Sequence, residues 1–167
     1  MRVLDLRRPR QADALGMHRV AAATATLDLN SPYAYLLMAT DFADTSIVAE
    51  ADDEVVGFIT GYHPPGRPEV LFVWQVAVAP AAQGRGLGAA MLDELVHRVR
   101  SDRFGHPVTV EATVAPSNTA SRALFGGFAR RHGVPCLERP RFDGRLLDPD
   151  GGHEDEPVLR IGPIIQR

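Results

Sequence analysis

Apolar and polar residues alternate along the chain with two periods, one typical of strands and one of helices. Val70 to Val78 is nearly all apolar and lacks strict alternation, which predicts a strand buried on both faces. From Leu87 to Val99, apolar residues recur at every fourth position, with Leu92 and Val96 beside them. This stripe predicts an amphipathic helix over residues 86–100.

The remaining elements follow from turn and capping residues. Asp52-Asp53 separates two apolar runs and is typical of a hairpin, and Ser31 followed by Pro32 is typical of a helix start. We predict strands over residues 2–7, 47–51, 55–59, 70–78, 108–114, 134–137 and 157–161. We predict helices over residues 12–25, 32–41, 86–100 and 117–131, and a long polar loop over 143–156. Early hairpins followed by β-α-β units indicate an α/β fold with a mixed sheet.

Length and composition narrow the class of protein. The chain has 167 residues, 45% of them hydrophobic, and we expect a single domain over residues 1–167. A net charge of −3 argues against a nucleic-acid partner, although all 18 basic residues are arginine. No apolar run approaches the ~20 residues of a membrane helix, and Met1 to Asp5 lacks a secretory signal, so we expect a cytoplasmic protein that does not associate with membranes. Cys136 is the sole cysteine, and we expect it to serve packing.

A glycine-rich turn lies between the apolar strand and the helix that follows it. Its sequence is Gln83-Gly84-Arg85-Gly86-Leu87-Gly88. The first turn of a helix has unpaired N–H groups and a partial positive charge, so it binds phosphate, and glycines let a ligand approach the backbone. Arg85 adds positive charge. A plain strand-to-helix turn remains open as an alternative. A Rossmann site fits poorly, because Ala79 to Gln83 separate the strand from the first glycine and Glu111 lies mid-strand.

Two segments resemble the GNAT superfamily of N-acetyltransferases. Val76 to Gly88 resembles its acetyl-CoA motif, and Ala115 to Phe125 resembles its second motif. The resemblance implies a mostly antiparallel sheet of six to seven strands flanked by about four helices, with strands four and five splayed around acetyl-CoA. Phe125 stands where many members carry a tyrosine that protonates the departing thiolate, and phenylalanine cannot donate that proton.

The same resemblance assigns residues to the co-substrate. It implies that backbone groups of Val76 and Val78 contact the pantetheine arm and that Asn118 faces acetyl-CoA, while Asn118 is also a plausible helix cap. The residues it implies for the pyrophosphate are Gln83, Gly84, Arg85, Gly86 and Gly88.

Three further segments are similar to the L-2,4-diaminobutyrate acetyltransferases of ectoine biosynthesis. These are Leu27 to Tyr35, Leu71 to Val78, and His153 to Glu156 followed by Arg160-Ile161. This family acetylates the γ-amine of L-2,4-diaminobutyrate, and the resemblance also suggests a homodimer. The implied substrate-binding residues are Asp28, Asn30, Tyr33, Trp74, His153 and Glu156.

Each of these residues also has a simpler interpretation. Asp28 is a possible helix cap, Tyr33 a packing residue, and Trp74 either a pocket wall or part of the core. His153 and Glu156 lie in a polar loop that solvent can cover.

The amine must lose a proton before it attacks, because its pKa is about 10.4. Glu111 is our candidate base, with a solvent-facing position shared with Thr109 and Thr113 as the alternative. We also count Trp74 among the candidate catalytic residues, because the backbone N–H groups from Trp74 to Val76 are candidates for stabilising the oxyanion.

Other functions remain open at this point. His132, Cys136 and His153 lack ligand spacing, so no metal is expected. Another GNAT activity, on a different small amine or a protein N-terminus, is one alternative, and a CoA-sensing module without turnover is another.

Overall fold

The computed structural model describes residues 4–24 and 26–165. Its strands are β1 (Leu4–Arg7), β2 (Ile47–Ala51), β3 (Glu54–Tyr62), β4 (Val70–Val78), β5 (Val108–Thr113), β6 (Cys136–Phe142) and β7 (Glu156–Ile164). Its α-helices are α1 (Ala14–Ala23), α2 (Pro32–Thr40), α3 (Leu87–Asp102) and α4 (Thr119–His132). Short 3-10 turns span Gln11–Asp13, Ala43–Thr45, Pro80–Ala82 and Gly144–Leu146. Parts of the predicted first strand and first helix, residues 2–3 and 25, lie outside the described residues.

The strands form one mixed sheet in the order β1-β2-β3-β4-β5-β7-β6. Neighbouring strands run antiparallel except β4 and β5, which are parallel. The predicted fold class is therefore confirmed, with seven strands and four α-helices in the described part of the chain.

Two hydrophobic cores lie on opposite faces of the sheet. Helices α3 and α4 pack on one face, where Met91, Leu95 and Phe128 are fully buried against strand residues. Helices α1 and α2 pack on the other face, against Val48, Phe58 and Ala77 of β2 to β4 among others. This second core contains no described residue of β5, β6 or β7. One face of those three strands is therefore left without a helix over it.

Strands β4 and β5 separate within the sheet. Their register covers only Val70 to Phe72 on β4, opposite Thr109 to Glu111 on β5. A bulge lies just beyond, because Val73 pairs with Gly61 and Gln75 with Thr60, which leaves Trp74 without a partner on β3. A gap therefore opens between the two strands in the middle of the sheet.

The prediction that β4 is buried on both faces holds only for its first half. Val70 to Val73 are buried, whereas Trp74 is 43% exposed and both Val76 and Val78 are half-buried. The reason is the separation of β5, which removes the neighbour that would have covered these residues.

The end of the chain departs most from the sequence prediction. Strand β6 continues to Phe142, although we expected it to end at residue 137, and all seven of its residues are exposed. Its charged residues and Pro140 break the apolar pattern that predicts a strand. Pairing with β7 nevertheless keeps it in the sheet. Cys136 lies on this exposed edge, so its expected role in packing was wrong. Partial burial and the nearby Glu138 carboxylate raise the pKa of its thiol.

Candidate active site

The glycine turn stands at the open end of the gap between β4 and β5. Gly84 and Gly86 have positive φ angles of 74° and 73°, a conformation that favours glycine. A Cβ atom added at either residue would meet no protein atom within 4 Å. Helix α3 begins directly afterwards at Leu87, and no side chain caps its start. The first N–H groups of α3 are thus left for a ligand, and this end of the helix favours an anion such as a pyrophosphate.

Other predicted cofactor residues surround this turn. The Gln83 side-chain amide donates a hydrogen bond to the Val78 carbonyl at 3.0 Å, which ties the turn to the end of β4. Arg85 is exposed, which agrees equally with phosphate binding and with a side chain that only contacts solvent. Gly88 lies in the first turn of α3, where an added Cβ would make an ordinary van der Waals contact with the Leu124 side chain at 3.6 Å.

The other wall of the gap is the start of α4. Asn118 is the N-cap of this helix, and its side-chain oxygen accepts a hydrogen bond from the Ser121 amide at 3.1 Å. Arg122 donates to the carbonyl oxygens of Val114 and Ala115, at 3.2 and 3.3 Å, and so fixes the end of β5. Phe125 is buried in the core, and as a phenylalanine it has no hydroxyl group at this position.

A buried polar relay links α2, β4 and the loop between α1 and α2. The Tyr35 hydroxyl donates to the Gln75 side-chain oxygen at 3.0 Å, and the Gln75 side-chain nitrogen donates to the Asp28 carbonyl at 2.9 Å. Gln75 is 6% exposed, so its hydrogen bond with Tyr35 is buried, whereas the one to Asp28 is partly buried. The relay holds the loop that carries Asp28 beside the bulge at Trp74. Gln75 and Tyr35 were not predicted as site residues, although a polar residue within an otherwise apolar strand is a usable signal.

The predicted substrate residues of this loop lie at the surface. Asp28 is exposed and Asn30 is half-buried, while Tyr33 is 68% exposed. The alternative roles given to two of them were wrong. Ser31, and not Asp28, caps α2, and Tyr33 does not serve packing within the described residues.

Trp74 lies next to the gap. Its exposure excludes the alternative in which it belongs to the core. The Gln75 amide donates to the Thr60 hydroxyl at 3.2 Å, so this N–H group is already occupied. Of the three backbone N–H groups proposed for the oxyanion, those of Trp74 and Val76 remain as candidates.

The loop before β7 borders the site next to the start of α4. Glu154 forms a hydrogen bond with Ser117, just before α4, and the Asp155 carboxylate accepts from the Gly144 amide at 2.8 Å. His153 and Glu156 are half-buried, so the alternative in which both are fully solvated surface residues was wrong. Glu156 begins β7 opposite Phe142 of β6.

Glu111 is buried, at 3% exposed, and surrounded by arginines, so its solvent-facing alternative was wrong. Arg67 donates to both of its oxygens, at 2.9 and 3.1 Å, and Arg160 also donates to it. Arg141 lies 3.5 Å from its second oxygen. Since guanidinium donors occupy both oxygens, the geometry disfavours Glu111 as an acceptor of the amine proton.

Two further features bear on the kind of site. In residues 4–24 and 26–165, no group of three or more histidine, cysteine, aspartate or glutamate side chains is arranged to hold a metal ion. No helix in that part of the chain is both long and apolar enough to span a membrane.

A glycine turn at a helix start, beside two diverging parallel strands, is the geometry that the resemblance to acetyltransferases implies. The model of the acetyltransferase (GNAT) family matches residues 12–128. The chain belongs to this family. It is therefore an acetyltransferase, and acetyl-CoA is its co-substrate.

Several relatives resemble this GNAT chain over nearly its whole length. The L-2,4-diaminobutyric acid acetyltransferase of Streptomyces avermitilis is 49% identical over 163 residues, which cover 96% of this chain and 89% of the relative. The enzyme of the same name from Nocardia farcinica is 45% identical and covers 96% and 81%. Diaminobutyrate acetyltransferase from Paenibacillus lautus, solved with L-2,4-diaminobutyric acid and coenzyme A, is 40% identical with a TM-score of 0.87, covering 100% of this chain and 99% of its own.

Proposed function

We propose that this enzyme transfers the acetyl group of acetyl-CoA to the γ-amine of L-2,4-diaminobutyrate. One observation carries the proposal. The Gln75 relay fixes the Asp28 loop beside Trp74, at the place where β4 and β5 diverge. The backbone of Asp28 is thereby anchored next to the gap that takes the thioester, so its carboxylate is available on this loop for the extra ammonium group of the acceptor. Names of relatives at 40 to 49% identity support the same acceptor.

The cofactor side of the proposal uses the glycine turn and the gap. The bare backbone at Gly84 and Gly86 and the first N–H groups of α3 receive the pyrophosphate, with Gln83, Arg85 and Gly88 beside them. The pantetheine arm lies between the half-buried Val76 and Val78 on one side and Asn118 on the other. The thioester then reaches the sheet at the bulge.

The acceptor side uses the surrounding polar residues. Asp28 and Glu156 are carboxylates for the substrate's ammonium groups, and Asn30, Tyr33 and His153 complete the polar lining. Trp74 forms the wall next to the thioester. Binding among these groups orients the γ-amine toward the acetyl carbon, and removal from water favours its neutral form.

Transfer proceeds in a ternary complex. The neutral amine attacks the thioester carbon, and the N–H groups of Trp74 and Val76 are the candidates for stabilising the oxyanion. The C–S bond then breaks, and the thiolate takes its proton from the new ammonium nitrogen or through water, because Phe125 has no proton to give. The arginines around Glu111 favour a positioning role for this carboxylate over the role of base that the sequence suggested.

The organisation and setting of the enzyme are part of the same proposal. We expect one N-acetyltransferase domain over residues 1–167, a homodimer, a cytoplasmic location and a place in ectoine biosynthesis. The exposed edge strand β6 is compatible with a second subunit.

Thiol release tests the proposal. Purified protein with acetyl-CoA and L-2,4-diaminobutyrate should release free thiol, and NMR of the product should show acetylation at the γ-nitrogen. A panel of other amines in the same assay tests the alternative GNAT activity. Tight CoA binding without turnover on any amine would instead support a CoA-sensing role.

A further inference from the structure

Three arginines surround a single buried carboxylate on β5. Arg67, Arg141 and Arg160 each form an ion pair with Glu111. Among the described residues, Glu111 is the one acidic partner in the ion pairs of these arginines, so a single negative charge is set against three positive charges. Their side chains are 38%, 28% and 40% exposed, respectively, so each guanidinium can still reach a ligand from solvent.

This cluster lies on the face of β5, β6 and β7 that no described helix covers. Val110 and Ala112 of β5, and Leu159 and Ile161 of β7, point into the core formed with α3 and α4. Glu111 and Arg160 alternate with these residues and form a register pair, so both point to the opposite face. We call this face of β5, β6 and β7 the acceptor face, because Trp74 and Glu156 border it in the proposed function.

The cluster lies about one substrate length from the point of acetyl transfer. Glu111 pairs with Phe72 of β4, and Trp74 follows two residues later. Two residues of strand span about 7 Å. In L-2,4-diaminobutyrate, four bonds of about 1.5 Å separate the γ-nitrogen from the carboxylate carbon, so the molecule reaches about 6 Å with its oxygens. An acceptor with its γ-amine beside Trp74 therefore brings its carboxylate to the arginines.

Arg141 is the arginine best placed to bind this carboxylate. Arg67 and Arg160 donate directly to Glu111, whereas Arg141 remains 3.5 Å away from it. The Arg141 guanidinium instead lies over the rings of Phe72 and Phe142, at 5.3 and 5.0 Å from their centres. Such stacking fixes the planar group and leaves its edge to donate two parallel hydrogen bonds to a carboxylate.

We propose that the guanidinium cluster of Arg67, Arg141 and Arg160 binds the α-carboxylate of the amino-acid acceptor. This inference rests on the proposed function, and it adds the group that distinguishes a diamino acid from a simple diamine. Glu111 holds two of the arginines in place, and the surplus positive charge is neutralised when the substrate arrives.

Kinetics with two acceptors test the assignment. Arg141→Gln should raise KM for L-2,4-diaminobutyrate by about 10- to 100-fold, the loss expected for a charged hydrogen bond, with kcat nearly unchanged. KM for acetyl-CoA should stay the same. With 1,3-diaminopropane, which is the same acceptor without its carboxylate, variant and wild type should have equal kcat/KM. Arg141→Lys should recover part of the loss, because it restores the charge without the planar fork.

The controls separate binding from folding. Arg130→Gln makes the same change of charge on α4, away from the acceptor face, and should leave both acceptors unaffected. Equal losses with both acceptors, or an unchanged KM for diaminobutyrate, would overturn the inference and leave the proposed function intact. Wild-type protein that acetylates other amines but not diaminobutyrate would instead overturn the proposed function. If Arg141→Gln does not fold, the ratio of the two acceptors in Arg141→Lys decides.

Discussion

Single polar residues inside strands organise the acceptor side that we propose for this enzyme. Gln75 is buried in an otherwise apolar strand and Glu111 in a strand with no other charge, and each makes contact with residues far away in the sequence. A buried polar group without partners costs free energy, so a polar residue at such a position predicts a partner from the sequence alone. The identity of the partner was not predictable, since Asp28 and Gln75 are 47 residues apart.

Replacement of Gln75 should affect the acceptor and not the cofactor. Gln75→Met keeps the length of the side chain but leaves the Tyr35 hydroxyl and the Asp28 carbonyl without their hydrogen bonds. We expect a loss of about 1–3 kcal/mol in the free energy of unfolding, measured with urea. KM for L-2,4-diaminobutyrate should rise several-fold because the Asp28 loop is released, while KM for acetyl-CoA stays constant.

Tyr35→Phe is the matched control for this change. It removes only the hydroxyl and leaves the hydrogen bond from Gln75 to Asp28 intact. Stability should fall, yet KM for diaminobutyrate should stay near the wild-type value. An equal rise of KM in both variants would show that the relay does not act through Asp28.

A single substitution tests whether Glu111 acts as the general base. Glu111→Gln removes the charge that the three arginines share, so we expect lower stability. A broken buried ion pair costs about 3–5 kcal/mol, and the partial exposure of these arginines reduces the expected loss to about 1–3 kcal/mol. The pH profile of kcat should keep its shape. Loss of the acidic limb from that profile, with folding preserved, would restore Glu111 as the general base.

At the scale of elements, local patterns predicted the structure around the glycine turn well. The glycine turn, the start of α3 and the Asn118 cap all depend on neighbours in the sequence, and each lies where we expected it. Strand β6 was predicted poorly, because its residues are exposed and pair with β7 through contacts that the local pattern does not contain. The bulge at Trp74 likewise depends on the register with β3.

Alanine substitutions in the glycine turn should separate binding from stability. Gly84→Ala and Gly86→Ala place a side chain in a left-handed conformation, which costs about 1–2 kcal/mol. The added Cβ meets no protein atom but stands on the backbone that we propose receives the pyrophosphate. KM for acetyl-CoA should rise by more than 10-fold, equivalent to about 1.4 kcal/mol of lost binding.

Gly105→Ala provides the control for backbone strain. Gly105 has a φ angle of 78° and equal open space, but it lies beyond the far end of α3. Its substitution should lower the melting temperature by a similar amount and leave KM for acetyl-CoA unchanged. If all three variants bind acetyl-CoA normally, the turn is only a connection between β4 and α3.

For the whole molecule, the site exists because distant segments meet at one gap in the sheet. The α1–α2 loop, the bulge of β4, the start of α4 and the β6–β7 loop each contribute residues. The family resemblance pointed to these segments from the sequence, whereas physical patterns alone pointed only to the glycine turn as a candidate phosphate site. The arginine cluster escaped prediction altogether, since its members come from the β3–β4 loop, β6 and β7 and meet only through Glu111.

Stability at low pH is a property of the whole molecule, because the Asp13 carboxylate near the N-terminus connects separate parts of the fold. Burial alone would raise the pKa of Asp13, but hydrogen bonds from the Arg7 side chain and the Arg10 amide outweigh it, and the pKa is lowered from 3.8. Arg7 also contacts Glu50 of β2, so the cluster ties β1 and the 3-10 turn before α1 to the sheet.

A lowered pKa in the folded state fixes the direction of the pH effect. The stabilisation from Asp13 is fully present above 3.8, the ordinary value that the unfolded chain keeps, and is lost as the pH falls through the lower folded value. Urea unfolding at pH 7 and at pH 3 should therefore show a smaller difference in Asp13→Asn than in wild type. Asp143 has a pKa of about 2 beside Arg145, but this pair is exposed, and solvent screening leaves it little net effect on stability. Asp143→Asn should accordingly keep the wild-type pH dependence, and an Asp13→Asn variant that also keeps it would mean that the N-terminal cluster does not contribute to acid stability.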